Sequence, residues 1–471
     1  MSHRSRLTLT ALALVAAGAF APQAQASGFQ LREQSPSSQG NAFAGVSAGG
    51  SDISSMFFNP AAMSLYSDNQ FVIGGSYIGL SAKFSDGSAS RTPVLLVLPG
   101  PQSPSSLPIS GSPTHKNAAI SAVLPEVNLM YSLSRDLKVG FSINVPFGLT
   151  TEYDGNWIGR YHGLKSDLKT IDLAPSISYR FSPKFSAGVA FVARKADAEL
   201  TNGVDWGTAL TLATSGFGAA IGGVPGGYDG KAGLKGDGWG YGFKAGLIWE
   251  PTQALRIGLA HQGAMDMTLK GDATFEFPSA LPAAGLAGLQ AKGYKNGKGS
   301  AELNLPATSS LGVNYIVSDT FSLQGEAALS TWSRFKELRV KFETGTPTAA
   351  DSVTDENWKD TWYYSVGGTW KLNQEWAVRA GVAFDQGAVD DTHRTPRIPD
   401  NDRKWISLGA TYTHSKKISM DFGFTRIFIA DGKVNLSAGT SPTDNNATRG
   451  SLNGTIKAAI MIFAGQLRYN F

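Results

Sequence analysis

Three observations predict a 14-stranded antiparallel transmembrane β-barrel with an N-terminal hatch, or plug, in its lumen. Long stretches alternate strictly between apolar and polar residues, short and long connections alternate between those stretches, and no mature segment is apolar for the ~20 residues a spanning helix needs.

The chain opens with Arg4 and Arg6, an apolar run from Leu7 to Phe20, and Ala24-Gln25-Ala26. This is the order of a secretion signal, assigned to residues 1–26 with cleavage before Ser27, so the mature chain crosses the inner membrane. With no cysteine, neither a disulfide framework nor a thiol site is available. Losing Arg4 and Arg6 takes the net charge from +4 to +2, which argues against a nucleic-acid partner. Fifty-five glycines, 10% aromatics and only 17% charged residues leave a large periplasmic β-protein or an outer-membrane barrel.

Residues 27–70 are rich in Ser, Gly and Ala with scattered aromatics and have no β-period. They are too aromatic and too weakly charged for a disordered tail, so they are expected to fold as a plug. A fourteen-stranded barrel is wide enough to need one.

Alternation then decides between the two classes. Trp239, Tyr241, Phe243, Ala245, Leu247 and Trp249 form one face, against Gly240, Gly242, Lys244, Gly246 and Ile248. Ile418 to Thr425 repeats the pattern, and so does Ala459 to the terminal Phe471. In a barrel the apolar face meets lipid and the polar face lines the lumen. Strands are expected near 71–83, 117–132, 137–149, 166–180, 185–200, 238–250, 255–270, 301–316, 320–342, 357–372, 376–389, 403–414, 418–434 and 455–471, forming a barrel domain over 71–471. Short turns fall at 134–136, 182–184, 251–253, 318–319, 373–375 and 415–417. Long loops fall at 84–116, 150–165, 201–237, 271–300, 343–356, 390–402 and 435–454. Short periplasmic turns and long external loops put both termini on the periplasmic side.

No catalytic site, metal ligand set or cofactor site is expected. The histidines stand singly, and no Gly-x-Ser-x-Gly elbow occurs. "GFGAAIGGVPGG" lies between strands, outside any strand–turn–helix unit that could hold a phosphate. Loops 201–237 and 271–300 are unusually apolar. Trp206, Phe217, Phe275 and Phe277 are expected to form a cap, a landing groove for hydrophobic ligands, or both. In "INVPFGLTTEY", Pro146 and Gly148 interrupt a wall strand. They mark either its end or an inward kink at Pro146, Phe147 and Gly148 that opens the wall.

"SGFQLREQS" at the mature start, Asn59-Pro60-Ala61, "STWSRFKEL" at 330–338 and "AFDQGAVDDTHRTPRIPDNDRKWISLGATY" at 383–412 occur in an order that resembles the FadL family across the whole mature chain. That resemblance implies an outer-membrane, passive transporter of long-chain fatty acids, with relatives that admit aromatic hydrocarbons. It also implies a lumenal hatch, an apolar groove in the third and fourth external loops, and lateral release at a kink in strand three. By the same resemblance Arg339 is the expected ligand for a carboxylate. A second basic residue is missing where Leu200 aligns, which leaves hydrocarbons open as substrates. Strand parity sets Ser322, Gln324, Glu326, Ser330, Trp332 and Arg334 toward the lumen, and so Arg339 away from it unless a bulge intervenes. Leu200 and Trp332 join the expected hydrophobic pocket. Phe57, Phe58, Asn59, Pro60 and Ala61 are expected to form a hatch gate beside the strand-three gap. The expected partners are a fatty acid or other hydrophobic small molecule, outer-membrane lipids and lipopolysaccharide, with the chain a monomer. A general porin and an outer-membrane lipid hydrolase are the alternatives.

Overall fold

The computed structural model describes residues 28–92, 107–346, 348–438, 441 and 443–471. The signal peptide and its cleavage site lie outside the described residues. The wall is one closed antiparallel sheet of fourteen strands, several of them interrupted. These are β1 (Gln70–Ser90), β2 (Ala122–Ser132), β3 (Leu137–Asn144 and Gly148–Glu152), β4 (Lys165–Ser182) and β5 (Phe185–Asp205). Next come β6 (Asp229–Trp249), β7 (Leu255–Gln262 and Met265–Glu276), β8 (Gly297–Leu305 and Thr308–Ile316) and β9 (Phe321–Ser330 and Glu337–Glu343). The wall continues with β10 (Ser352–Asp355 and Thr361–Lys371), β11 (Trp376–Asp385), β12 (Arg403–Thr413), β13 (Ile418–Ile429 and Gly432–Leu436) and β14 (Ser451–Asn470). The barrel closes where β1 pairs with β14, from Gln70↔Asn470 to Ser90↔Ser451.

Burial follows the alternation. Trp239, Tyr241, Phe243, Leu247 and Trp249 are exposed on the outside of β6, while Lys244 and Ile248 are buried inside. Tyr131, Phe181, Phe185, Trp249, Trp370 and Trp376 face outward near the short turns, and Trp239, Tyr241, Trp362, Tyr364, Phe384 and Phe428 face outward farther up. This is the double aromatic girdle of a membrane barrel. Strands β5 to β8 run farther outward than alternation suggested. The expected loops 201–237 and 271–300 shrink to 206–228 and 277–296, because their apolar residues continue the sheet as Asp229–Trp249 and Met265–Glu276.

The hatch, residues 28–69, contains no wall strand. A four-residue α1 (Pro36–Gln39) and three 3-10 turns, Val46–Ala48, Ile53–Phe57 and Pro60–Leu65, fold it against inward-facing side chains, and nearly all of it is buried. Two glycines make the seat. A Cβ on Gly246 would stand 1.9 Å from Asn59 Oδ1, and one on Gly258 would stand 1.9 Å from the Ser47 carbonyl. Glu326 accepts from both the amide and the hydroxyl of Ser47, and Tyr363 donates to the Ala42 carbonyl at 2.6 Å.

Candidate functional site: an apolar slot beside a broken strand

Strand β3 is broken at residues 145–147. Pro146 has no N–H to give, and the β2–β3 ladder runs from Ser132↔Lys138 only to Val127↔Ile143. Beyond that rung β2 continues along β1 to Ala122, while the outer piece of β3 pairs with β4 and, past the interval, is bridged to residues 118–120 ahead of β2 through Ala119↔Thr151. Pro125 on β2 faces the same interval and also lacks an N–H.

The backbone groups freed by the break are taken up by the start of the hatch. Leu31 N donates to the Pro146 carbonyl at 2.8 Å, and Gly148 N donates to the Phe29 carbonyl at 3.0 Å. The Gln34 side chain clamps Val145, donating to its carbonyl at 2.7 Å and accepting from its amide at 3.0 Å. Phe29 to Leu31 therefore form a strap that covers the break from inside, as irregular backbone at membrane depth requires.

The strap is held by an aromatic box. The Phe29 ring lies 4.8 Å from Trp332, 5.7 Å from Phe335, 5.7 Å from Trp358 and 6.0 Å from Phe147, mostly edge to face. Its N-terminal end is fastened by Asp400, whose carboxylate accepts from Gly28 N at 3.1 Å and Ala388 N at 2.7 Å and pairs with Arg403.

Outward from this box runs an apolar slot. Leu149, Leu168, Leu200, Leu269, Leu303 and Leu338 line it, with Phe29, Phe335 and Ile398 at its inner side, and its volume is about 50 Å³. A smaller space of about 20 Å³ continues it past Leu234, Val340 and Phe342 toward the external loops. Both hold a few water-sized molecules at most, so an alkyl chain must part these side chains to enter.

Arg397 stands at the junction of the two spaces. Its guanidinium is buried and donates to the Lys165 carbonyl, Ser166 Oγ and the Thr201 carbonyl at 2.9–3.1 Å. Arg449, close by, is held by the Val353 carbonyl and the Ser352 hydroxyl. Among the described residues no carboxylate lies within salt-bridge distance of either. Burial and the Arg449 guanidinium pull Arg397 down to about 10, which still leaves it charged at neutral pH. The buried carboxylate Glu356 acts on both guanidiniums, and Asp355 on Arg449, from beyond salt-bridge distance, so neither cation at the end of this greasy slot has an anion in direct contact.

The expectation for Arg339 is corrected. Leu338, Val340 and Phe342 take the inward positions, so Arg339 faces out, half-exposed, and is already bound to Glu337 at 2.6 Å and Asp351 at 3.0 Å. The hatch-gate expectation is corrected for Asn59, Pro60 and Ala61, whereas Phe57 and Phe58 share a space with Gln30 and Leu31 of the strap, and Phe58 packs on the cluster that includes Val145. Asn59 caps Pro60–Leu65 and donates to the carbonyls of Ser47, Leu247 and Leu259, which places it on β6 and β7 rather than at the break in β3. Pro60 and Ala61 lie against Gly188 of β5, and the Phe57 carbonyl and ring both receive the Lys244 ammonium. Phe58 packs on Phe57 and Phe43. What touches the break is the strap, thirty residues earlier in the chain.

Of the expected groove residues, Trp206, Phe275 and Phe277 come together beneath a cap of two short helices, α2 (Trp206–Ala213) and α3 (Ala283–Ala291), with Trp206 4.7 Å from Phe277. Leu200 lines both spaces of the slot, and Trp332 belongs to the aromatic box. Phe217 stands apart, exposed on the outer surface.

Comparison with known proteins gives this architecture its family. The model of the family described as "Outer membrane protein transport protein (OMPP1/FadL/TodX)" matches residues 17–471. The chain belongs to the FadL family. It is 33% identical over 430 residues to a 47 kDa outer membrane protein of Pasteurella multocida, covering 91% of this chain and 93% of that one. It is 28% identical over 448 residues to the long-chain fatty acid transport protein of Escherichia coli K12, covering 92% and 95%. The crystal structure of a Pseudomonas aeruginosa FadL homologue superposes with a TM-score of 0.81 at 24% identity, covering 94% of this chain and all of that one. A Pseudomonas putida toluene transporter superposes at 0.67 with 16% identity, covering 94% and 99%. As a FadL-family member the chain is an outer-membrane transporter of hydrophobic compounds and not an enzyme, which removes the hydrolase alternative.

Proposed function

We propose that this transporter carries long-chain fatty acids and releases them sideways through the break in β3. The observation that carries the substrate reading is Arg397, a buried guanidinium with no described carboxylate within salt-bridge distance, at the junction of a mostly apolar slot whose wall also includes Ser166, Asp167 and Glu302. The capped cluster around Trp206, Phe275 and Phe277 would collect the alkyl chain, and each methylene it buries contributes about 0.8 kcal/mol. Entry into the slot parts Leu200 from Leu338 and brings the head to Arg397 while the tail presses on Phe29. Ile398 and Asp400 follow Arg397 in one short loop segment, so movement at the head is passed to the residue that fastens Gly28. Displacing the strap would leave the β2–β3 interval as the apolar way out, and no energy source is needed.

The test is titration of the purified barrel with a fatty acid and with an alkane of equal length. Tighter binding of the acid that disappears in Arg397→Met supports the reading. Equal binding of both by the unaltered chain would favour a hydrocarbon substrate.

A further inference from the structure

Directly below the break, Glu126 and Asn128 of β2 and Ser142 and Asn144 of β3 share the lumenal face. Asn128 pairs with Ser142, and Glu126 and Asn144 flank the next position past the last rung, Val127↔Ile143. All four are 2% exposed or less. Both carboxylate oxygens of Glu126, and the amide oxygen and nitrogen of both Asn128 and Asn144, have no hydrogen-bond partner. Unsatisfied polar atoms are uncommon in a folded interior, and six in one patch call for an occupant.

The surroundings narrow what that occupant is. Leu124, one step above on β2, and Met130, one step below, are fully buried apolar lids. The residue opposite Glu126 on β1 is Gly74, and the room that a side chain there would take is held by Gln466 of β14, whose Cβ lies 2.5 Å from where a Cβ on Gly74 would stand. The charges that act on Glu126 are those of Asp52 in the hatch and Asp421 on β13, both negative. Gln466 bridges those two carboxylates at 2.7 and 2.9 Å, which fixes them in place. Arg468 and Arg379 serve the other side of that pair, through the Ser51 carbonyl and Asp421.

We propose that Glu126, Asn128, Ser142 and Asn144 form a buried site for one hard, oxygen-seeking cation of the calcium class. Two carboxylate oxygens, two amide oxygens and a hydroxyl supply five oxygen donors, and such ions accept six to eight, the remainder from water or main chain. Sequence spacing hides the site, because its donors come from two strands and only one of them is acidic. The ion bridges β2 to β3 where their hydrogen-bonded ladder ends, so it stops the wall from fraying further toward the periplasm when the break opens.

The experiment uses the full chain in detergent micelles, stripped with a chelator and titrated by calorimetry with calcium and, separately, with sodium in a choline background. Saturable binding of one ion per chain that weakens by roughly tenfold or more in Glu126→Gln, and likewise in Asn144→Ala, is the expected result. Glu126→Gln replaces the carboxylate by an amide of nearly the same volume, so folding is retained, and heat-modifiable migration on gels checks it. Ion binding equal in the unaltered chain and Glu126→Gln would overturn the proposal. So would an infrared difference spectrum showing that Glu126 carries a proton in the presence of calcium, since the patch would then be a water-filled chamber.

Discussion

A disulfide across the strap tests the release step directly. Gln30 and Phe147 are antiparallel partners flanked by the Leu31–Pro146 and Phe29–Gly148 hydrogen bonds, which makes them a non-hydrogen-bonded pair. Cα atoms of such pairs lie about 4.5 Å apart, within the roughly 4.4–6.8 Å that a disulfide spans. The chain has no cysteine of its own, so Gln30→Cys with Phe147→Cys forms only this bond. Oxidised, the strap cannot leave the break; reduced, it can, and the reduced form also controls for the missing Phe147 ring. The opposite perturbation is Phe29→Ala. Truncating a buried Phe costs about 3–5 kcal/mol. At about 1.4 kcal/mol per tenfold, the displaced strap then becomes roughly 10² to 4 × 10³ times more populated. The assay is uptake of a labelled long-chain fatty acid by cells that lack their own transporter. The oxidised pair should abolish uptake, reductant should restore it, and Phe29→Ala should keep it at or above the unaltered rate until a later step limits. Equal uptake by the oxidised and reduced forms would refute release through the break while leaving the barrel and its slot intact.

Arg397→Met should weaken fatty-acid binding by about 10–150-fold, the loss of one charge-assisted contact of about 1.5–3 kcal/mol, and leave alkane binding unchanged. Arg339→Ala should stay within about 0.5 kcal/mol in the same titration, since that side chain faces outward and is already paired. Gly246→Ala drives a methyl into Asn59, and Asn59→Ala removes a helix cap worth about 0.5–2 kcal/mol, so both should loosen the hatch and raise ion conductance across planar bilayers. His162, in the loop after β3, is buried against the Gly450 carbonyl, and burial with the nearby Arg449 pulls it down to about 3 from 6.5. The opened loop therefore takes the proton first. The stabilisation is complete above about pH 6.5 and is lost at about 1.4 kcal/mol per unit as pH falls toward 3. Hydrogen exchange over 153–164 and 443–450 should accelerate in that window, and His162→Asn should remove the dependence.

The wall was legible because lipid and lumen impose a period of two along every strand, and that period survives without tertiary context. Its interruptions were less so: Pro146 and Gly148 announced one, Pro306 in the break of β8 was passed over, and the breaks in β7, β9, β10 and β13 contain no proline. Arg339 was misassigned by motif position even though parity already set it outward. Arg397 was passed over because it sits in "RTPRIPDND", a loop that turns into the lumen, and loops have no period from which to read direction. The hatch was recognised by composition. Which part of it meets the break depends on contacts such as Leu31 to Pro146, more than a hundred residues apart, and nothing local encodes them.

On the proposed route, these contacts suit the three residues of strap to gating better than the Asn59-Pro60-Ala61 turn. Asn59 is tied at once to its own helix, to another part of the hatch and to two wall strands, so moving it would disturb the plug and both strands together. The strap is tied by two backbone hydrogen bonds to the break, by the Gln30 side chain to Thr308 and Ser330, by one carboxylate at Gly28 and by one ring in a box. Below the box the lumen turns polar, with the Asp172–Arg194 pair at 2.6 Å and the Glu126 patch beyond it. An alkyl chain continuing downward would give up about 0.8 kcal/mol for each methylene it moved out of apolar contact. On the proposed route it turns instead toward the interval bordered by Leu124 and Val123, the second of which already faces lipid. The direction of transfer is then set by where apolar surface continues, and the strap decides only when.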